Sequence, residues 1–131
     1  MAVTHNKVSL RGFHFEDSIL TCILTAGIVA ADVGKAVAFG AAANTVKLAG
    51  DGDTIIGRLE VVEDRKVEGQ LVGAVAFRFA NLLPIKSGET VTAGDTVQGA
   101  GGGEVKKTTT ADHSKNFVAE VIGSNAVVVK I

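Results

Sequence analysis

The sequence predicts an all-β protein: a compact jelly-roll or a related β-barrel or sandwich, with an extended N-terminal arm. Three observations carry this. Apolar runs are short and are separated by Gly, Asp and Asn, as strands joined by tight turns require. The apolar content of 47% comes mostly from Ala, Val, Leu and Ile, with six Phe and no Tyr or Trp, so the interior is built of small side chains, many of them β-branched and suited to sheets. No stretch has sustained helical spacing, and Gly34 and Gly40 interrupt the one candidate, residues 29–43, so no long helix is expected.

Taken in order, residues 1–17, MAVTHNKVSLRGFHFED, are more polar than the rest of the chain and alternate at Val8 and Leu10, then at Phe13 and Phe15; they are read as an arm with a short strand. From Ser18 onward eight strands are predicted: ILTCIL, KAVAF, TVKLA, TIIGRLEVV, QLVGAVAF, TVTAG, NFVAEVI and AVVVKI. At 131 residues and 13.4 kDa the chain has material for one core, so residues 18–131 are read as a single β domain. Pro84, the only proline, lacks the N–H that a central strand needs, which makes residues 81–88 an edge or crossover segment. The glycine-rich stretch 99–103 is read as a flexible loop or turn between strands. An internal echo also runs through the chain: VGKAV, TVKLAG and IIGRLEV recur in order as AGDTV, EVKKTT and FVAEVIG, about sixty residues later, as a duplicated β unit would.

Composition narrows the function. Thirteen Lys and Arg against fourteen Asp and Glu leave a net charge of -1, which supplies no general field for nucleic acid or an anionic membrane. Cys22 is the only cysteine, so no intrachain disulfide forms, and its expected role is that of a small apolar residue. The longest apolar run, residues 19–31, is too short to span a bilayer, and Glu16 and Asp17 stand where a signal peptide carries positive charge.

Motifs that carry chemistry fail on spacing. Gly99 and Gly101 are followed by Glu104 where a dinucleotide fingerprint needs its third glycine, and neither Lys106 nor Lys107 follows the glycine that a phosphate loop requires. Residues 87–105 echo the strand-turn-strand of lipoyl and biotinyl carriers, but Lys86, Lys106 and Lys107 lack the flanking pattern and are read as surface lysines. Alternate Phe in GFHF (12–15) and FRF (77–79) suit base stacking in a single-strand nucleic-acid barrel, yet one buried strand face explains them better. His5, His14 and His113 are scattered, Asp51 and Asp53 lack further oxygen ligands, and no serine sits in G-x-S-x-G. The expectation is therefore a protein that is not an enzyme, with no catalytic residue, cofactor, metal or small-molecule substrate.

The order of pieces, ILTAGIVAADVGKAVAFGAAANTVKLAGDGDTIIGRLEVVEDR, LVGAVAF, LPIKSGETVTAGDTVQGAGGGEVKK and FVAEVIGSNAVVVKI, resembles the capsid decoration (cement) proteins of tailed bacteriophages. The resemblance covers residues 18–131 and rests on AGDTV before a glycine-rich turn, TIIGR after ANTVKL, and the terminal AVVVKI. It implies a compact β fold made in the host bacterial cytoplasm and placed on the outer surface of the virion as a homo-oligomer, a trimer or dimer, bound to several major capsid protein subunits. It further implies an N-terminal arm, matched here by residues 1–15, that reaches a neighbouring subunit. By strand addition Val3, Val8, Leu10, Phe13 and Phe15 of the arm would form the interface, together with Leu82, Leu83 and Pro84. A terminus packed on its own chain is the alternative for the same residues.

Overall fold

The computed structural model describes residues 9–10, 13–14, 18–65 and 69–131. Strands β1 (Ser9–Leu10) and β2 (Phe13–His14) pair with each other and stand apart from the main sheet. The body runs β3 (Ser18–Leu24), a single 3-10 turn at Ala30–Asp32, β4 (Ala36–Phe39), β5 (Thr45–Leu48), β6 (Gly57–Arg65), β7 (Gln70–Pro84), β8 (Val97–Gly101), β9 (Glu104–Lys107), β10 (Phe117–Ile122) and β11 (Asn125–Lys130). The fold is all-β.

Five strands close into a barrel. β7 pairs antiparallel with both β3 and β6 over residues 72–76; β6 pairs with β4, β4 with β5, and β5 returns to β3 as a parallel neighbour. Closure leaves none of these strands as a free edge, which is how a small sheet avoids open pairing. Leu24, Ile28, Val37, Val46, Leu59 and Val75 fill the interior. Alternation along β4 then turns Ala36 and Ala38 outward, where they join a second buried cluster.

The second half repeats the first in its hydrogen bonds. Gly34 N–H donates to Leu59 C=O (2.7 Å) and Leu59 N–H to Lys35 C=O (2.9 Å); Gly94 N–H donates to Val118 C=O (2.8 Å) and Val118 N–H to Asp95 C=O (2.8 Å). Gly34 and Gly94 both take left-handed backbone, with φ of 96° and 90°. The parallel contact recurs too: Thr25 N–H donates to Val46 C=O as Lys86 N–H does to Val105 C=O, both at 3.0 Å. The C-terminal part of β7 thus plays for the second unit the part that β3 plays for the first. It pairs with β11 over residues 79–84, β11 pairs with β10, β10 meets the chain entering β8, β8 pairs with β9, and β9 bridges back at Ile85. The cyclic order is the same as in the first barrel, and the sequence echo is its trace.

Equivalent interior positions confirm the register: Val37, Val46 and Leu59 lie in the first cluster, and Val97, Val105 and Val118 in the second. The second cluster also takes in Phe79, Leu83, Ala126 and Val128, packed with the outward alanines Ala36, Ala38, Ala49 and Ala76 of the first barrel. Small side chains there let the two units approach closely. Buried Asn116 helps to hold the second unit: its carboxamide accepts from Val97 N–H (2.9 Å) and donates to Val97 C=O (3.1 Å).

Three expectations are corrected. Residues 81–84 are no crossover: they end the longest described strand and pair with β11 on one side only, as the edge alternative expects, with Pro84 as the last residue, where a missing N–H costs least. TVTAG forms a turn, since Gly94 adopts positive φ and the Asp95 carboxylate accepts from Thr92 N–H (2.8 Å). The glycine stretch is not a flexible loop: Gly99–Gly101 belong to β8, and only Gly102 and Gly103 form the expected turn, in a docked hairpin. Gly102 and Gly103, at φ of 61° and 81°, make the two-residue turn between β8 and β9. The hairpin is tied to the first barrel by four backbone bonds: Ala36 N–H to Gly103 C=O (2.9 Å), Gly103 N–H to Ala49 C=O (3.1 Å), Gly52 N–H to Gly99 C=O (2.9 Å) and Gly99 N–H to Asp53 C=O (2.8 Å).

Candidate interaction surface

Among the described residues, one end of the first barrel carries an uncovered apolar surface. β4 ends on Phe39, which is 70% exposed; Leu20 of β3 is 63% exposed and Ile131 67%. Half-buried Phe77 of β7 lies between them, because the groove of about 380 Å3 lined by Leu20, Cys22, Phe39 and Phe77 adjoins one of about 350 Å3 lined by Phe39, Ile56, Phe77 and Ile131. Alternation explains the exposure: Phe39 follows the inward Val37 and the outward Ala38 at the point where β4 runs past the barrel rim. Grouped exposed apolar side chains of this kind make the surface a candidate for contact. Val121 and Ile122 form a smaller exposed pair on β10.

Charge sits at the rim. Lys115 and Lys130 line the Phe39–Ile131 groove. Lys130 Nζ donates to Phe77 C=O (3.1 Å), and burial of this side chain pushes its pKa down. Burial pushes the Cys22 thiol up, away from nucleophilic character.

The other polar side chains serve the fold. Asp32 accepts from Val29 N–H and from Lys35 Nζ, both at 2.9 Å; the backbone bond foremost holds its carboxyl below the usual range, with Lys35 adding to it and burial opposing. Arg58 bridges the two halves, donating to Leu82 C=O (2.7 Å) while pairing with Glu60 (2.6 Å). Asp53 accepts from Gly50 N–H (2.8 Å) and pairs with Lys47 (3.2 Å), and Asp51 pairs with Lys106 (2.5 Å), so the two aspartates are engaged in the turn that receives the glycine hairpin. Among the described residues no group of three or more His, Cys, Asp or Glu comes together. Of the lysines weighed for modification, Lys106 and Lys107 lie within β9, and Lys86 donates to Ala100 C=O (3.3 Å). His113 Nε2 is 2.7 Å from Gly94 C=O.

The sequence-predicted interface residues fall in different places. Val3, Val8 and Phe15 lie outside the described residues, as does His5. Leu10 and Phe13 stand opposite each other in the β1–β2 register, and His14 opposite Ser9. Leu83 is wholly buried in the second cluster, while Leu82 and Pro84 are half-buried beside it. Phe79 is also wholly buried, with no face to offer a base, whereas Phe77 lines the apolar surface. Sequence reading missed Phe39, Leu20 and Ile131 as a group. The signal was faint: Phe39 closes KAVAF just before the small-residue run GAAAN, and nothing local says that Leu20 and Ile131 meet it. No protein-family model and no curated protein matches this chain.

Proposed function

We propose that the protein is a structural binding protein that acts on the outside of a tailed-phage head, cementing neighbouring major capsid subunits. The observation that carries the binding part is the apolar surface around Phe39, uncovered among the described residues, at the end of a closed barrel. The capsid as partner is what the family resemblance implies.

Physical requirements of such a clamp agree with the architecture. Two barrel-like units share one long strand, which joins them through a continuous ladder. A standard interface of roughly 800 Å2 per partner would take about a ninth of the 7114 Å2 surface, which leaves area for several contacts at once. On a symmetric shell, modest contacts repeated many times act together through avidity.

The test is co-expression with the major capsid protein of the phage that carries this gene, followed by gradient sedimentation of the heads. Co-migration at a fixed ratio to capsid subunits, with heads that resist heating better than undecorated ones, is the expected result. Failure to co-migrate with mature heads at micromolar protein would remove the capsid from the account.

A further inference from the structure

We propose that Lys130 is the specificity-determining residue of the apolar surface around Phe39, and that the capsid segment seated there presents an aspartate or glutamate to it beside an apolar side chain. This deepens the reading of that surface as the capsid contact and rests on it.

The two units differ at one rim position. Leu59 faces Val75 across β6–β7 as Val118 faces Val128 across β10–β11, and both pairs lie inside their units. The neighbouring ladders agree, since Val75 pairs with Leu20 of β3 and Val128 with Asn81 of β7. Two residues further along, Lys130 therefore stands in the second unit where Phe77 stands in the first. Both side chains are half-buried. A place that one unit fills with an aromatic ring holds an ammonium group in the other, and burial pushes the pKa of that group down.

The hydrogen bonding of this ammonium is incomplete within the described chain. A lysine has three donors, and among the described residues Lys130 Nζ has one protein acceptor, the neutral Phe77 carbonyl at 3.1 Å. Lys35, Lys47 and Lys106 each pair with an aspartate, whereas among the described residues Lys130 has no carboxylate partner. A partly desolvated cation with donors to spare gains most from a charge-assisted bond to a carboxylate.

Surroundings select the rest of the partner's chemistry. The two grooves beside Phe39 are apolar at Leu20, Ile56, Phe77 and Ile131; Lys115 and Lys130 line them, and no Asp or Glu does. The complementary segment is therefore apolar with negative charge at one side. Lys115 already lowers the pKa of the Asp112 carboxyl, which leaves Lys130 as the cation for an incoming charge. Docking then makes Lys130 discriminate: a segment without the carboxylate would bury an ammonium unpaired, a heavier penalty than a lost apolar contact.

The test uses full-length protein bound to mature heads and treated with a water-soluble carbodiimide. The reagent activates a carboxyl, the lysine amine displaces it as a urea, and an amide forms, so only a carboxylate touching the amine is joined. Mass spectrometry should find Lys130 joined to an Asp or Glu of the major capsid protein. In parallel, Lys130→Met should bind heads about thirty-fold or more weakly than the parent, and Lys130→Arg, which keeps the charge, within about five-fold. Both variants should melt with the parent, which separates lost contact from lost fold. Bound heads without a cross-link from Lys130 to the capsid, a cross-link from Lys130 to its own chain, or Lys130→Met bound as tightly as the parent would each overturn the proposal while the capsid reading stands. No binding by the parent would remove the capsid reading itself, and this inference with it.

Discussion

Replacing Gly99 by Ala tests whether the glycine run holds the two units together. Its added Cβ would run into the Gly50 carbonyl oxygen and stand 3.0 Å from Ala49 Cβ. The obstacle is backbone, so no side-chain rotation relieves it, and overpacking of this kind costs about 1–3 kcal/mol. Displacing the hairpin also strains the bonds from Gly99 N–H to Asp53 C=O and from Gly52 N–H to Gly99 C=O, each worth about 1 kcal/mol. A total near 3 kcal/mol follows. With an unfolding entropy of about 2.1 cal/mol/K per residue over 131 residues, this lowers Tm by about 10 °C. Gly102→Ala is the control, because no atom lies within 4 Å of its Cβ and only the φ of 61° opposes it. That strain costs about 1–2 kcal/mol, or about 4–7 °C. Calorimetry on the three proteins decides. If Gly99→Ala melts within about 3 °C of the parent, or above Gly102→Ala, the docked hairpin is wrong and the run is a loose loop.

Phe79→Ala, which empties a wholly buried site in the second cluster, should cost about 3–5 kcal/mol in urea unfolding. Asn116→Ala removes both bonds to Val97 and leaves buried backbone groups unpaired, so a loss of about 2–3 kcal/mol is expected by the same measurement. The Asp32 carboxyl has a folded pKa below its unfolded value of about 3.9, so its contribution is complete above that value and disappears as pH falls through the folded one. The stability gap between the parent and Asp32→Asn, measured by denaturant titration at several pH values, should therefore be full near neutrality and close in strong acid. Phe39→Glu, at an exposed position, should leave unfolding free energy within about 0.5 kcal/mol of the parent, as measured by thermal unfolding of dilute protein.

Local patterns were legible wherever one residue's neighbours in sequence decide its state. ILTCIL, KAVAF, TVKLA, NFVAEVI and AVVVKI all become strands, because short apolar runs between turn residues can bury themselves in few other ways. The echo at about sixty residues was legible for the same reason: both units need a left-handed glycine before a strand, at Gly34 and at Gly94. The length of β7 was not, since its second half is a strand only because β11 lies beside it. TVTAG has strand composition but yields to the turn that lets Gly94 and Asp95 meet Val118.

The amino-acid order alone settled the all-β class, most strand positions and the repeat. Only the tertiary structure decided that the first unit closes into a ring, that the second has the same order, and that they share β7. It also decided the fate of the glycines and of Phe39. Closure brings together residues far apart in the chain, and a glycine reads the same in sequence whether it turns freely or lies against another backbone. Gly99 and Phe39 occupy matching places in two similar units, yet one is buried against its neighbour and the other faces outward, because only the three-dimensional joining of the units gives each hairpin its surroundings.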